Sequence, residues 1–209
     1  TGVITFNSPP NYETQNSYSI TVNVSDGNQS VSQELVINIT QVSGGGASVT
    51  FTSSYDISTS HYHTCAIDDN GVKCWGRNSE GQTNVPSLSN PTQVSAGSYY
   101  TCSLDDSGVQ CWGSNSDGQT TVPSLSNPAQ VNAGFWYTCA LDDNGVQCWG
   151  YNGFGQTSVP NLSNPTQVST GDNHTCALDD SGVVCWGYNG DGQTSVPSLS
   201  NPTQVSAGG

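Results

Sequence analysis

The residues best equipped for chemistry in this chain recur in step. Cys65, Cys102, Cys139 and Cys176 stand 37 residues apart, as do Cys74, Cys111, Cys148 and Cys185, and the carboxylate pairs Asp68-Asp69, Asp105-Asp106, Asp142-Asp143 and Asp179-Asp180 keep the same step. Thiols can bridge or bind soft metals, and adjacent carboxylates can exchange protons or hold a hard cation. The pattern favours none of the reactive uses. An active site brings unlike groups together, whereas a residue of the repeated frame appears four times over. Metal spacings such as Cys-x-x-Cys are absent. The Asp pairs lie in Asp-Asp-Asn/Ser-Gly turns, where a carboxylate caps local backbone amides. His63 and His174 hold a position that is Tyr100 and Tyr137 in the other copies, an exchange that fits a shared hydrogen-bond donor better than a ligand or a base. With no Ser-His-Asp or Cys-His spacing either, no catalytic residue is assigned and the chain is read as a non-enzyme.

Two runs that suit strands flank each of those turns, so each copy is a β-hairpin. With Asp69-Asn70 or Asp68 to Gly71 as the loop, Cys65 lies directly opposite Cys74, at the Cα separation of about 4.5 to 5.5 Å that a disulfide accepts. A bulge at Gly71 would move that register by one, and eight free buried cysteines are the alternative. The pairs expected are Cys65 with Cys74, Cys102 with Cys111, Cys139 with Cys148, and Cys176 with Cys185. A short extended run precedes each hairpin, such as Gln93 to Gly97 or Gln167 to Gly171, which makes three strands per repeat. Cys65, Ile67, Val72 and Cys74 share one face of the hairpin, and Ala66 and Trp75 point to the other. A small sheet that is apolar on both faces has to be sandwiched between neighbours, as propeller blades or solenoid rungs are. No segment has helical periodicity.

The string Trp-Gly-x-Asn-x-x-Gly-Gln, at Trp75 to Gln82, Trp112 to Gln119, Trp149 to Gln156 and Trp186 to Gln193, follows (His/Tyr)-Thr-Cys-(Ala/Ser)-(Leu/Ile)-Asp-Asp-x-Gly in every copy. It resembles the repeat of the regulator of chromosome condensation family over about residues 55 to 208. The resemblance implies a β-propeller, seven-bladed in the family, with the Trp and Gly residues packing between blades. The repeats here are shorter and carry Thr where the family often has Leu-Gly after the Gln. Both departures favour three-stranded blades, as in the secreted β-lactamase inhibitors that resemble this fold, over a nuclear role.

Composition points the same way. Two Lys and Arg stand against 16 Asp and Glu, a formal net charge of −14, which repels nucleic acid and anionic membranes. Paired cysteines, no Met and abundant Ser, Thr, Asn and Gly fit an oxidising, extracellular or cell-surface setting. No apolar run is long enough for direct membrane insertion.

Residues 1–42 stand outside the repeat. Ser19 to Val24 and Glu34 to Ile39 alternate apolar and polar about an Asp26-Gly27-Asn28 turn, and with Phe6, Pro10 to Glu13 and Tyr18 they resemble the last strands of a cadherin-like domain, a partial β-sandwich. That resemblance implies a calcium site at Glu13 and Asp26; the plain alternative is a surface Glu and a turn Asp. Residues 43–54 read as a Gly/Ser-rich linker. Residues 55–209 read as four propeller-type repeats plus the first strand of a fifth, Gln204 to Ala207. Four blades fall short of seven, so the repeats are expected to continue into a longer chain or a neighbouring copy.

Around the constant frame a few positions vary. His61-Tyr62 becomes Ser98-Tyr99, Phe135-Trp136 and Asp172-Asn173; Arg77 becomes Ser114, Tyr151 and Tyr188; Glu80 becomes Asp117, Phe154 and Asp191. Flanking strand ends, these positions belong in loops, and exposed loop aromatics anchor protein or sugar partners. Phe135, Trp136, Tyr151, Phe154 and Tyr188 are the candidate partner-binding residues, with drift at exposed positions as the alternative. The leading functional reading is a structural or adhesive repeat protein, a segment of a longer chain or of a self-assembling filament, without a cofactor unless calcium binds. The competing reading is a discrete secreted binding propeller, an inhibitor or lectin-like protein.

Overall fold

The computed structural model describes the backbone of residues 17–25, 30–42 and 46–52, and backbone with side chains for residues 56–208. The chain divides into two compact units, Thr1–Ser53 and Ser54–Gly209. In the first, β1 (Ser17–Ser25), β2 (Ser30–Val42) and β3 (Gly46–Thr52) form an antiparallel meander, with Ile20 opposite Leu35 and Ile37 opposite Phe51. A strand therefore occupies most of the segment read as a linker. The alternation Ala47-Ser48-Val49-Thr50-Phe51-Thr52 is a strand pattern, and the glycines ahead of it had masked it. Glu13 and Asp26 lie outside the described residues.

The second unit is four three-stranded antiparallel sheets, and no helix occurs among the described residues. Blade one comprises β4 (Ile57–Thr59), β5 (His63–Asp68) and β6 (Gly71–Gly76); blade two, β7 (Gln93–Ala96), β8 (Tyr100–Asp105) and β9 (Gly108–Gly113). Blade three has β10 (Gln130–Ala133), β11 (Tyr137–Asp142) and β12 (Gly145–Gly150); blade four, β13 (Gln167–Thr170), β14 (His174–Asp179) and β15 (Gly182–Gly187). In each hairpin the first Asp pairs with the Gly, as Asp68 does with Gly71, and Cys65 lies directly opposite Cys74 with no bulge shift. All four expected disulfides form, with Cα separations of 4.0 to 4.1 Å. The positive φ that closes the turn falls on the glycine, +98° at Gly71, while Asp68 Oδ1 accepts the Asn70 amide at 2.8 Å.

Neighbouring blades meet face to face. Cys65, Ile67, Val72 and Val94 form one buried cluster, against which Val85, Leu88 and Trp112 pack; Tyr137, Cys139, Val146, Val168, Ala177 and Trp186 form the equivalent one between blades three and four, with Val159 and Leu162 tucked against it. Each fully buried Val at these seams contributes roughly 1.5 to 3 kcal/mol. The repeat motif is the seam's polar machinery. The carbonyls of Gln82, Gln119 and Gln156 each accept the indole N–H of the following blade's Trp at 2.9 Å and the hydroxyl of its Thr at 2.8 to 2.9 Å. Asn78 Oδ1 accepts the Thr83 amide, closing the loop in between. Gly113 has φ +102°, and a Cβ there would lie 2.7 Å from the Tyr99 carbonyl, so only glycine fits.

The innermost strands are linked by side chains rather than by a ladder. Val94 N donates to Asp56, Val131 N to Gln93 Oε1 and Val168 N to Gln130 Oε1; Ala96 N and Ala133 N donate to Ser58 and Ser95. Residues 204–207 take the next place in this series. Val205 N bonds to Gln167 Oε1 at 2.8 Å and Ala207 N to Ser169 Oγ at 2.9 Å, although the segment is not a ladder strand.

Candidate functional site

The two ends of the blades differ in chemistry. At the hairpin-turn end, the Asp pairs are consumed by structure. Asp105 accepts the Ser107 amide and hydroxyl through Oδ1 and the Ser89 amide through Oδ2, while Asp106 takes the Asn90 side chain, and the pairs Asp142-Asp143 and Asp179-Asp180 repeat the pattern. Burial opposes ionisation of Asp105, but the hydrogen bonds from Ser107 and the Ser89 amide outweigh it and hold the carboxyl below its usual range. Asp179 is held low by Ser181 and the Ser163 amide. The connection is thereby clamped onto the turn, with Asn90 in the left-handed region at φ +49°. No group of three or more metal-ligating side chains occurs among the described residues.

The buried His/Tyr position spans the seams. The Tyr100 hydroxyl donates to the Tyr137 carbonyl, and Tyr137 donates to the His174 carbonyl at 2.5 Å. His63 Nε2 reaches the Thr101 hydroxyl at 2.7 Å, and Ser60 Oγ lies 3.0 Å from its Nδ1. Burial raises both phenol pKa values and lowers those of His63 and His174, so all four are neutral spacers at pH 7.

At the opposite end lie the loop that follows each inner strand and the segment that follows each third strand, and here the five candidate aromatics come together. Phe135 meets Trp136 edge-on at 4.3 Å between ring centroids, Trp136 meets Tyr151 at 5.8 Å, Tyr151 meets Phe154 at 6.2 Å, and Phe154 meets Tyr188 at 5.1 Å. Trp136, Phe154 and Tyr188 remain exposed. A second group stands beside this ribbon: Tyr62 stacks on Tyr99 at 4.7 Å, and the Arg77 guanidinium lies 5.3 and 5.2 Å from their ring centres. His61 joins the two. It packs against Tyr62 and also meets Phe135 edge-on at 5.2 Å, although His61 and Phe135 occupy the same position of blades one and three. The inner ends of the blades thus converge on one mouth, a cavity of about 370 Å³ lined by residues from all four blades and by Ala207 and Gly208. Tyr62, Arg77, Tyr99, His61, Ser98 and Asp172 were visible in the sequence only as variable columns; which columns converge depends on the curvature of the blade array. Ser98 Oγ has no hydrogen-bond partner, so it is not held by His61 as an activated nucleophile would be.

The model of the Regulator of chromosome condensation (RCC1) repeat matches residues 55–82, 92–119, 129–156 and 166–193. No curated protein is significantly similar to the chain in sequence. Among solved structures, the chain is similar to the entire ectodomain of the Physcomitrella patens receptor kinase CR4 (20% identity, TM-score 0.60, 84% of this chain and 56% of that one). It is also similar to the CRINKLY WD40 ectodomain of the Arabidopsis thaliana receptor kinase ACR4 (23%, 0.52, 74% and 63%) and to Prp20p of Saccharomyces cerevisiae (13%, 0.59, 79% and 56%). The matches therefore span less than two thirds of those chains, and at these identities they speak to fold. Nothing among them supports the cadherin-like reading of residues 1–42.

Proposed function

The chain belongs to the Regulator of chromosome condensation (RCC1) repeat family, and on that premise we propose that it is a non-enzymatic extracellular repeat protein that binds a partner through the aromatic end of its blades. The observation that carries this reading is the unbroken ribbon from Phe135 to Tyr188, built at positions that vary within an otherwise constant frame. Clustered, partly exposed aromatics have the composition of interface anchors. The setting rests on four disulfides, which persist in oxidising compartments, and the net charge of −14 disfavours nucleic acid. Two of the similar structures are receptor-kinase ectodomains, which is compatible with a cell-surface role.

The test is an array of extracellular proteins and polysaccharides probed with the wild type and with a variant in which Phe135, Trp136, Tyr151 and Phe154 are replaced by Ala. Binding is expected to weaken by more than about 1 kcal/mol with little change in melting temperature. Equal binding by both proteins would move the site elsewhere. A second reading, assembly through the blade faces, draws on Trp75, which is 52% exposed where Trp186 is 9% exposed.

A further inference from the structure

The mouth is the one place where the repeat presents four different groups at a single position. His61, Ser98, Phe135 and Asp172 stand 37 residues apart in sequence, and all line the same cavity. Ser98 is 2% exposed, and its hydroxyl and that of Thr170, also in the lining, have no hydrogen-bond partner. A buried hydroxyl left unpaired in a finished fold costs stability and calls for a partner.

Resting on the binding role proposed above, we infer that this mouth receives a lysine or arginine side chain of the partner. Asp172 is the only Asp, Glu, Lys or Arg in the lining, and a cation bearing several N–H donors would satisfy its carboxylate together with the acceptors on Ser98 and Thr170. The ring of Phe135 forms part of the wall, and the molecule already holds its own Arg77 against Tyr62 and Tyr99 in the same manner. The field of the whole chain, −14, draws a basic segment toward it and repels an acidic one. Around the mouth, the ribbon offers apolar contact to the flanking residues.

The experiment is an amide-resolved NMR titration of the intact chain with the capped peptides acetyl-Gly-Arg-Gly-amide and acetyl-Gly-Lys-Gly-amide at neutral pH. Citrulline in place of Arg serves as the neutral isostere, and N-acetylglucosamine as a sugar probe. Saturable shifts are expected at the Gly97, Gly134 and Gly171 amides with the cationic peptides. Asp172→Asn should weaken binding at least fivefold. Asp68→Asn, which removes the same charge at the other end of the blade and keeps its capping oxygen, should not. No saturation at these glycines, equal binding of citrulline, preference for the sugar, or equal losses from both Asn variants would each overturn the inference. Because the peptide reports on the mouth alone, failure here leaves the array result intact, and an array variant that replaces only Trp136, Tyr151 and Phe154, leaving the Phe135 wall of the mouth in place, tests the ribbon separately.

Discussion

His63 occupies the Tyr position of the seam together with a second change that fills the space its smaller ring leaves. In blades two and three a glycine, Gly97 or Gly134, lies under the Tyr ring, and a Cβ on Gly97 would sit 2.1 Å from Tyr100. Blade one has Ser60 at that place, and its hydroxyl meets the imidazole. His63→Tyr alone is therefore expected to lose about 1 to 3 kcal/mol by overpacking, and adding Ser60→Gly should restore most of it; urea unfolding of the two variants checks this. The histidines also set a pH dependence. Burial lowers their folded pKa below the unfolded value of about 6.5. The unfolded chain thus takes up protons first, so stability is full above that pH and is lost as pH falls toward the lowered folded value. The urea midpoint should drop between pH 7.5 and 5.0, and the drop should shrink in the Ser60→Gly/His63→Tyr protein. An equal drop would place the titration elsewhere.

A blade on its own is a three-stranded sheet with two apolar faces, and its stability lies in the seams. Trp186 is packed between blades with its indole N–H on the Gln156 carbonyl, whereas Trp75 occupies the same position in blade one and is half exposed. Trp186→Ala should cost about 3 to 5 kcal/mol and Trp75→Ala well under about 1 kcal/mol, read as a difference in urea midpoint at equal slope. Each hairpin disulfide closes a short loop of 9-residue separation, which the chain-entropy account values at roughly 2 to 3 kcal/mol. Peptide mapping without reductant should recover the four pairs within repeats, and a dominant bridge between repeats would contradict the register.

The first and the fourth blade carry complementary halves of a seam. Three Gln carbonyls serve a following Trp and Thr, and Gln193 holds the same position in blade four while Trp75 and Thr64 hold the donor positions in blade one. A contact between such faces, with copies of itself or with further repeats, would reuse the seam, and a rotation that does not close would give a fibre. Light scattering of the 209-residue chain at micromolar concentration should show association that Trp75→Lys reduces; a monodisperse monomer would refute assembly through these faces.

The hairpins and the disulfide pairs were legible because each depends on contacts within one repeat or on a two-residue period, the 37-residue step is in the sequence itself, and the between-blade role of Trp was what the family resemblance implied. The strand Gly46–Thr52 was hidden by the glycines beside it, since composition reports chain stiffness and says little about a distant pairing partner such as β2. The five aromatics could be singled out as variable positions in a constant frame, but the contact that carries the ribbon from one blade to the next could not, because Phe154 and Tyr188 lie in different blades and meet only through the curvature that packing imposes. The same holds for the mouth. His61, Ser98, Phe135 and Asp172 are one column in the sequence; the angle between successive blades, set by how Trp and Val fill the seams, turns that column into a ring of four unlike groups facing one cavity.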